Sequence, residues 1–179
     1  YALQKLVPTD LHRIGPNESC YTVLLNEKGG IIDDLLIYDL GYNNHNDNES
    51  LLIIVNAGCT IKDKKWLDTH LNQSKISVDN LEDNVLLAIQ GPESLEILNN
   101  LMTDKLNDLP RFGHRYIHLK SSVNNEPIFV AKTGYTGEEG FELLMSKSIG
   151  NSLWKQIMEL GVTPCGLGAR NTLRLEAAM

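Results

Sequence analysis

The chain has 179 residues, enough for one substantial core or for one domain and part of another. Its composition is that of a globular protein, 42% hydrophobic and 22% charged, and no apolar run reaches the roughly 20 residues of a membrane-spanning helix. The net charge of −7 argues against the basic face that nucleic-acid binding needs.

Taken in chain order, Tyr21–Leu25 and the run to Tyr38 predict two strands of a hairpin around the turn signal NEKGG. The polar stretch 41–50 reads as a loop, and LLIIV predicts a strand ending at Val55. Residues 60–71 carry Ile61, Trp66, Leu67, His70 and Leu71 at helical spacing, with Thr60 placed as N-cap. VLLAIQ predicts a further strand, and GPESLEILNNL a helix with Pro in its first turn. The segment 126–145 reads as strand, glycine-punctuated turn, strand. NSLWKQIMEL and GARNTLRLEAAM read as helices separated by GVTPCGL. Strands and helices alternate without a regular βαβ period, so the expected class is α+β, with mixed or antiparallel sheets and packed helices. Two subdomains, about 1–90 and 91–179, are expected. The start without Met and the close inside a helical pattern, lacking a capping glycine or last-turn basic residue, predict a section of a longer chain.

Within GGIIDDLLIY, Gly29–Tyr38, two carboxylates interrupt an apolar run. An unpaired carboxylate there costs on the order of several kcal/mol, so at least one needs a partner or a task. Alternation places Asp33 and Asp34 on opposite strand faces, so they are not expected to share one proton or one ion. Either one caps the GG turn while the other is solvated, or one projects into an apolar pocket and steadies a cationic or proton-carrying group.

Three further segments invite a ligand. Asn56 of VNAG ends a strand, where its amide can reach into a cleft or simply make a turn. TGYTGEEGFE has three glycines in seven residues, a backbone that can approach a flat ligand, with Tyr135 available to stack. Glu142 on the following strand suits the N–H edge of a pterin or purine. Arg170 opens the last helix and fits either a surface ion-pair lattice or a ligand carboxylate.

The order and content of LLNEKGGIIDDLLIY, VNAG, AIQGP, GYTGEEGFE and GLGARNTLRLEAAM resemble the aminomethyltransferase family, the T-proteins of the glycine cleavage system, from about Leu6 to Met179. The resemblance implies the central part of a folate-binding region, with an N-terminal segment and a C-terminal barrel-like domain lying outside the chain. It implies tetrahydrofolate as co-substrate and the lipoylated H-protein as partner, with no nucleic acid and no membrane. Asp34 is the implied catalytic carboxylate, and Tyr38, Asn56, Tyr135, Glu142 and Arg170 the folate-lining residues. Asn171 stands where the family segment usually has Asp, which puts the orientation of Arg170 in question. Ala178 stands where RLEAGM would have Gly, a change that looks tolerable.

No metal is expected. The five histidines are scattered, and His114 with His118 makes a weak two-ligand pair at best. Cys20, Cys59 and Cys165 are far apart, without metal-like spacing, and suit isolated thiols in a reducing compartment. Related folate domains of dimethylglycine and sarcosine dehydrogenases are an alternative. So are the non-catalytic folate-binding paralogues of iron–sulfur assembly, although their signature cysteine has no counterpart in TGYTGEE. Composition favours a bacterial cytoplasmic protein over one of the mitochondrial matrix.

Overall fold

The computed structural model describes residues 2–43, 48–71, 76–121 and 126–179. The elements in order are β1 (Ser19–Leu25), β2 (Ile31–Asn43), β3 (Asn48–Val55), α1 (Thr60–Leu71), β4 (Asn84–Gln90) and α2 (Ser94–Leu101). There follow β5 (His114–Ile117), β6 (Ile128–Ala131), β7 (Gly140–Ser146), α3 (Lys147–Glu159) and α4 (Leu167–Glu176). Antiparallel sheets with separate helices make the fold α+β, as expected. The chain forms two compact units, Tyr1–Asn80 and Leu81–Met179.

In the first unit, β1, β2 and β3 form an antiparallel sheet in that order. The hairpin closes because Asn26 Oδ1 accepts from the N–H groups of Lys28 and Gly30, and Gly29 takes the left-handed φ of 77° that a side chain resists. Alternation sends Leu24, Leu35 and Ile37 to one face, where they pack with Leu67 and Leu71 of α1 and with Leu3, Leu6 and Leu11. Each fully buried leucine there contributes roughly 2 kcal/mol. Two expectations change at the sheet's far end. β2 and β3 run into the polar stretch 41–50, pairing Tyr42 with Glu49 and Asn43 with Asn48. Backbone pairing there does not require apolar side chains. The middle of that stretch, with His45, lies outside the described residues.

Helix α1 also differs from its pattern. Ile61 is 88% exposed, and the buried residues are Asp63, Leu67 and Leu71, spaced one turn apart. Thr60 is not an N-cap. It is already helical, and its hydroxyl donates back to the carbonyl of Ala57 (3.1 Å) in the 3-10 turn Ala57–Cys59.

The second unit holds a four-stranded antiparallel sheet in the order β4-β7-β6-β5. On one face Ile89, Phe141, Leu143, Met145 and Val130 pack against Leu98 of α2 and Leu153 and Ile157 of α3. Pro92 precedes α2 instead of lying in its first turn, since the first helical residue is Ser94. Helix α4 buries none of its residues. It does have a stop signal: Arg174 lies in its last turn and donates to the Met179 carbonyl (3.0 Å), while Ala178 adopts a φ of 60°.

Candidate functional site

In the first unit, the end of β3 and the start of α1 meet the Asp pair of β2. Register places Asp34 opposite Val23 and Asp33 opposite Leu24, on opposite faces as alternation requires. The two are nevertheless tied together. Asn56 Nδ2 donates to Asp34 Oδ1 (2.8 Å), Asp33 Oδ1 (3.1 Å) and the Asp34 carbonyl (3.1 Å), because it sits just past the strand end and can address both faces. The Asp34 N–H also donates to Asp33 Oδ1 (3.0 Å). The carboxylates keep opposite faces, as expected, and one amide bridges them. Asp34 has a second donor in the Tyr21 hydroxyl (3.0 Å), from the exposed ring of a cross-strand neighbour. Tyr38 shares the Asp34 face and is 1% exposed.

Asp33 turns toward the core, where Asp63 and Cys59 meet it; these three donors lie within 4.8 Å of one another. Asp33 Oδ2 and both oxygens of Asp63 are buried and receive no N–H donor. Burial pushes the Asp63 carboxyl up to about 6, and its hydrogen bond and repulsion with Asp33 add to the rise. Burial raises Asp33 as well, yet hydrogen bonds from Asp63, Cys59, Asn56 and the Asp34 N–H outweigh it and hold that carboxyl below its usual range. The Cys59 thiol, hydrogen-bonded to Asp33 and partly desolvated, is pushed up and stays protonated. The Lys62 ammonium stands 3.8 Å from Asp63 Oδ1. Without a metal cation, the close Asp33–Asp63 pair suits a shared proton. Periodicity and spacing both missed Asp63, because a charged residue is read as a solvated position on a helix.

In the second unit, Glu142 lies on the opposite face of the sheet, flanked in register by the small side chains of Ala88 and Ala131. Thr133 Oγ1 donates to Glu142 Oε2 at 2.5 Å. Tyr135, 37% exposed, carries the Arg170 guanidinium over its ring at 4.5 Å, with Arg174 on the same ring at 5.9 Å. Arg170 is thus oriented by Tyr135. Asn171 instead accepts from Arg174 Nε (3.4 Å), so the departure from Asp at 171 bears on Arg174 and not on Arg170. His114 is buried, its ring tilted against that of Phe129 (4.9 Å).

The family model described as "GCVT N-terminal domain" matches residues 1–179. An aminomethyltransferase of Prochlorococcus marinus is 56% identical over 181 residues, covering 99% of this chain and 48% of that protein. One from a Synechococcus species is 53% identical over 180 residues, with the same coverage of 99% and 48%. Among solved structures, that of glycine cleavage system aminomethyltransferase T from Bartonella henselae aligns with a TM-score of 0.83 at 30% identity, over 99% of this chain and 45% of its own. The chain spans about half the length of the curated relatives it matches.

Proposed function

Because this chain belongs to the GCVT N-terminal domain family, we propose that it serves folate-dependent aminomethyl transfer in the glycine cleavage system. The one-carbon unit leaves the dihydrolipoyl sulfur of a lipoylated H-protein and ends bonded to N5 and N10 of tetrahydrofolate, as 5,10-methylenetetrahydrofolate. The two folate N–H protons go to the departing sulfur and amine, which leaves as ammonia. The relatives named aminomethyltransferase support this reading. The bacterial cytoplasm is the compartment it implies, and no helix among the described residues is long and apolar enough to cross a membrane.

What carries the reading is the doubly anchored Asp34 carboxylate. Asn56 and Tyr21 each give it a hydrogen bond, so its direction is set before any substrate arrives. An oriented anion stabilises positive charge developing at the one-carbon unit and can accept or steer a proton from the folate nitrogens. Glu142 supplies a carboxylate for the pterin's N–H edge, where Thr133 fixes one oxygen and small alanines flank it in register. Tyr135 with Arg170 offers a flat cationic surface for the anionic remainder of the molecule. Asn56 holds Asp34, and Tyr38, on the same strand face, is the folate-lining residue this reading assigns there.

The test is made on the complete gene product. Tetrahydrofolate is titrated anaerobically by calorimetry, and transfer from lipoylated H-protein is followed in parallel. Asp34→Asn is expected to bind folate within about 3-fold of the parent and to lose roughly 10²- to 10⁴-fold in transfer rate. Glu142→Ala is expected to lose binding. Near-normal transfer in Asp34→Asn would remove that residue from the role, and a parent protein that does not bind the folate would sink the whole assignment.

A further inference from the structure

Gln90 closes β4 and belongs to the AIQGP motif, yet nothing above gives it a task. Its side chain crosses to the glycine-rich segment that carries Tyr135 and leads into Glu142. Gln90 Nε2 donates to the carbonyls of Thr133 and Phe141, both at 3.2 Å, so one amide group ties the two ends of that segment together. Its Oε1 accepts from Thr136 Oγ1 at 3.5 Å, inside the turn. Next to it, the Gly91 N–H (2.8 Å) and Ser94 Oγ (3.2 Å) both donate to the Glu139 carbonyl.

The glycines report the same closeness. A Cβ at Gly134 or at Gly140 would run into Gln90 Oε1, well inside van der Waals contact. Left-handed φ in this segment occurs at Gly137 and not at these two, so space and not backbone conformation demands glycine at 134 and 140. The segment wraps around a glutamine side chain that both its ends require.

We propose that the Gln90 carboxamide is a positioning group: it sets the conformation of residues 133–141 and thereby the placement of Tyr135 and Glu142 for ligand. The identity of that ligand rests on the folate reading; the setting of the segment does not. Gln90 touches neither reacting atoms nor the pterin edge in this scheme. It acts through Thr133, whose hydroxyl in turn holds Glu142.

The experiment uses the complete gene product with Gln90→Met, which keeps the length of the side chain and removes its donors. Amide hydrogen exchange is measured without ligand, and KM and kcat with tetrahydrofolate. Exchange in residues 134–139 should rise by about 10-fold or more with α3 unchanged, and KM should rise about 10-fold with kcat within about 3-fold. A second, independent arm combines Gly134→Ala with Gln90→Ala. Alone, Gly134→Ala displaces the glutamine. Beside Gln90→Ala the three atoms nearest that Cβ are gone, so the double variant should fall within about 2-fold of Gln90→Ala in both readouts.

Unchanged exchange in Gln90→Met, or additive losses in the double variant, would overturn the proposal. Faster exchange with KM unmoved would also overturn it, since the segment would then be set by Gln90 without consequence for the ligand. Should the parent protein bind no tetrahydrofolate, the folate reading fails alone. The exchange and double-variant data would still decide whether Gln90 sets the segment.

Discussion

Asp63 occupies a helix position one turn before Leu67 and two before Leu71, and all three are buried in the first unit. A carboxyl so placed binds its proton more tightly in the folded chain than in the unfolded one, with its folded pKa near 6 against an ordinary 3.8. The sign follows directly. Between those two values the native state holds more protons, so this residue's contribution is fully favourable below about pH 4 and is lost as pH rises through 6. Asp33, held below its usual range, works the opposite way: its contribution is present above about pH 4 and is lost as pH falls through its lower folded value. Replacing Asp63 by Asn, which still donates to Asp33, should leave thermal stability near pH 4 unchanged. It should raise the melting temperature at pH 7 by on the order of 5 °C. A difference between variant and parent that stays constant from pH 4 to 7 would contradict this assignment. Asp34 and Asn56 could be picked out from residue type alone, as polar groups in or ending apolar strands. Asp63 could not, because hydrophobic periodicity discards charged residues before asking what they face.

At the scale of elements, the strands were readable because alternation and the NEKGG turn leave little freedom, and the register bears this out for Ser19–Leu25, Ile31–Tyr38 and Leu51–Val55. Helix ends were less readable, because caps depend on backbone angles that residue type only hints at. Thr60 looks like an N-cap and is not one; Ala178 looks unremarkable and ends α4 in the left-handed region. That second case carries a consequence. A residue with a Cβ costs about 1 kcal/mol in that conformation, so Ala178→Gly should stabilise the second unit by up to about that amount. Denaturant unfolding measures it, and the midpoint should rise without a change in slope. The change at 178 that looks tolerable in sequence therefore has a definite cost in structure. Asn171→Asp should turn the contact with Arg174 into a charge-assisted one while leaving Arg170 on Tyr135, which a structure of that variant would show.

At the scale of the whole molecule, each unit has its own core, so each is expected to answer to its own core substitutions. Leu143 is fully buried in the second unit, and Leu143→Ala should cost roughly 2–5 kcal/mol. With Trp66 replaced by Phe, Trp154 reports that loss alone, since the chain has two tryptophans. The α+β class followed from the spacing of strand and helix patterns; the pairing of β4 with β7 did not, because sheet order depends on contacts far apart in sequence. A last consequence concerns chemical ageing. Asn56 is a labile residue type, and its amide nitrogen is what bridges Asp33 and Asp34. Deamidation there would exchange a shared donor for another negative charge beside two carboxyl groups. Stored protein would then lose the proposed transfer activity while keeping its fold, in step with the appearance of aspartate or isoaspartate at that one position.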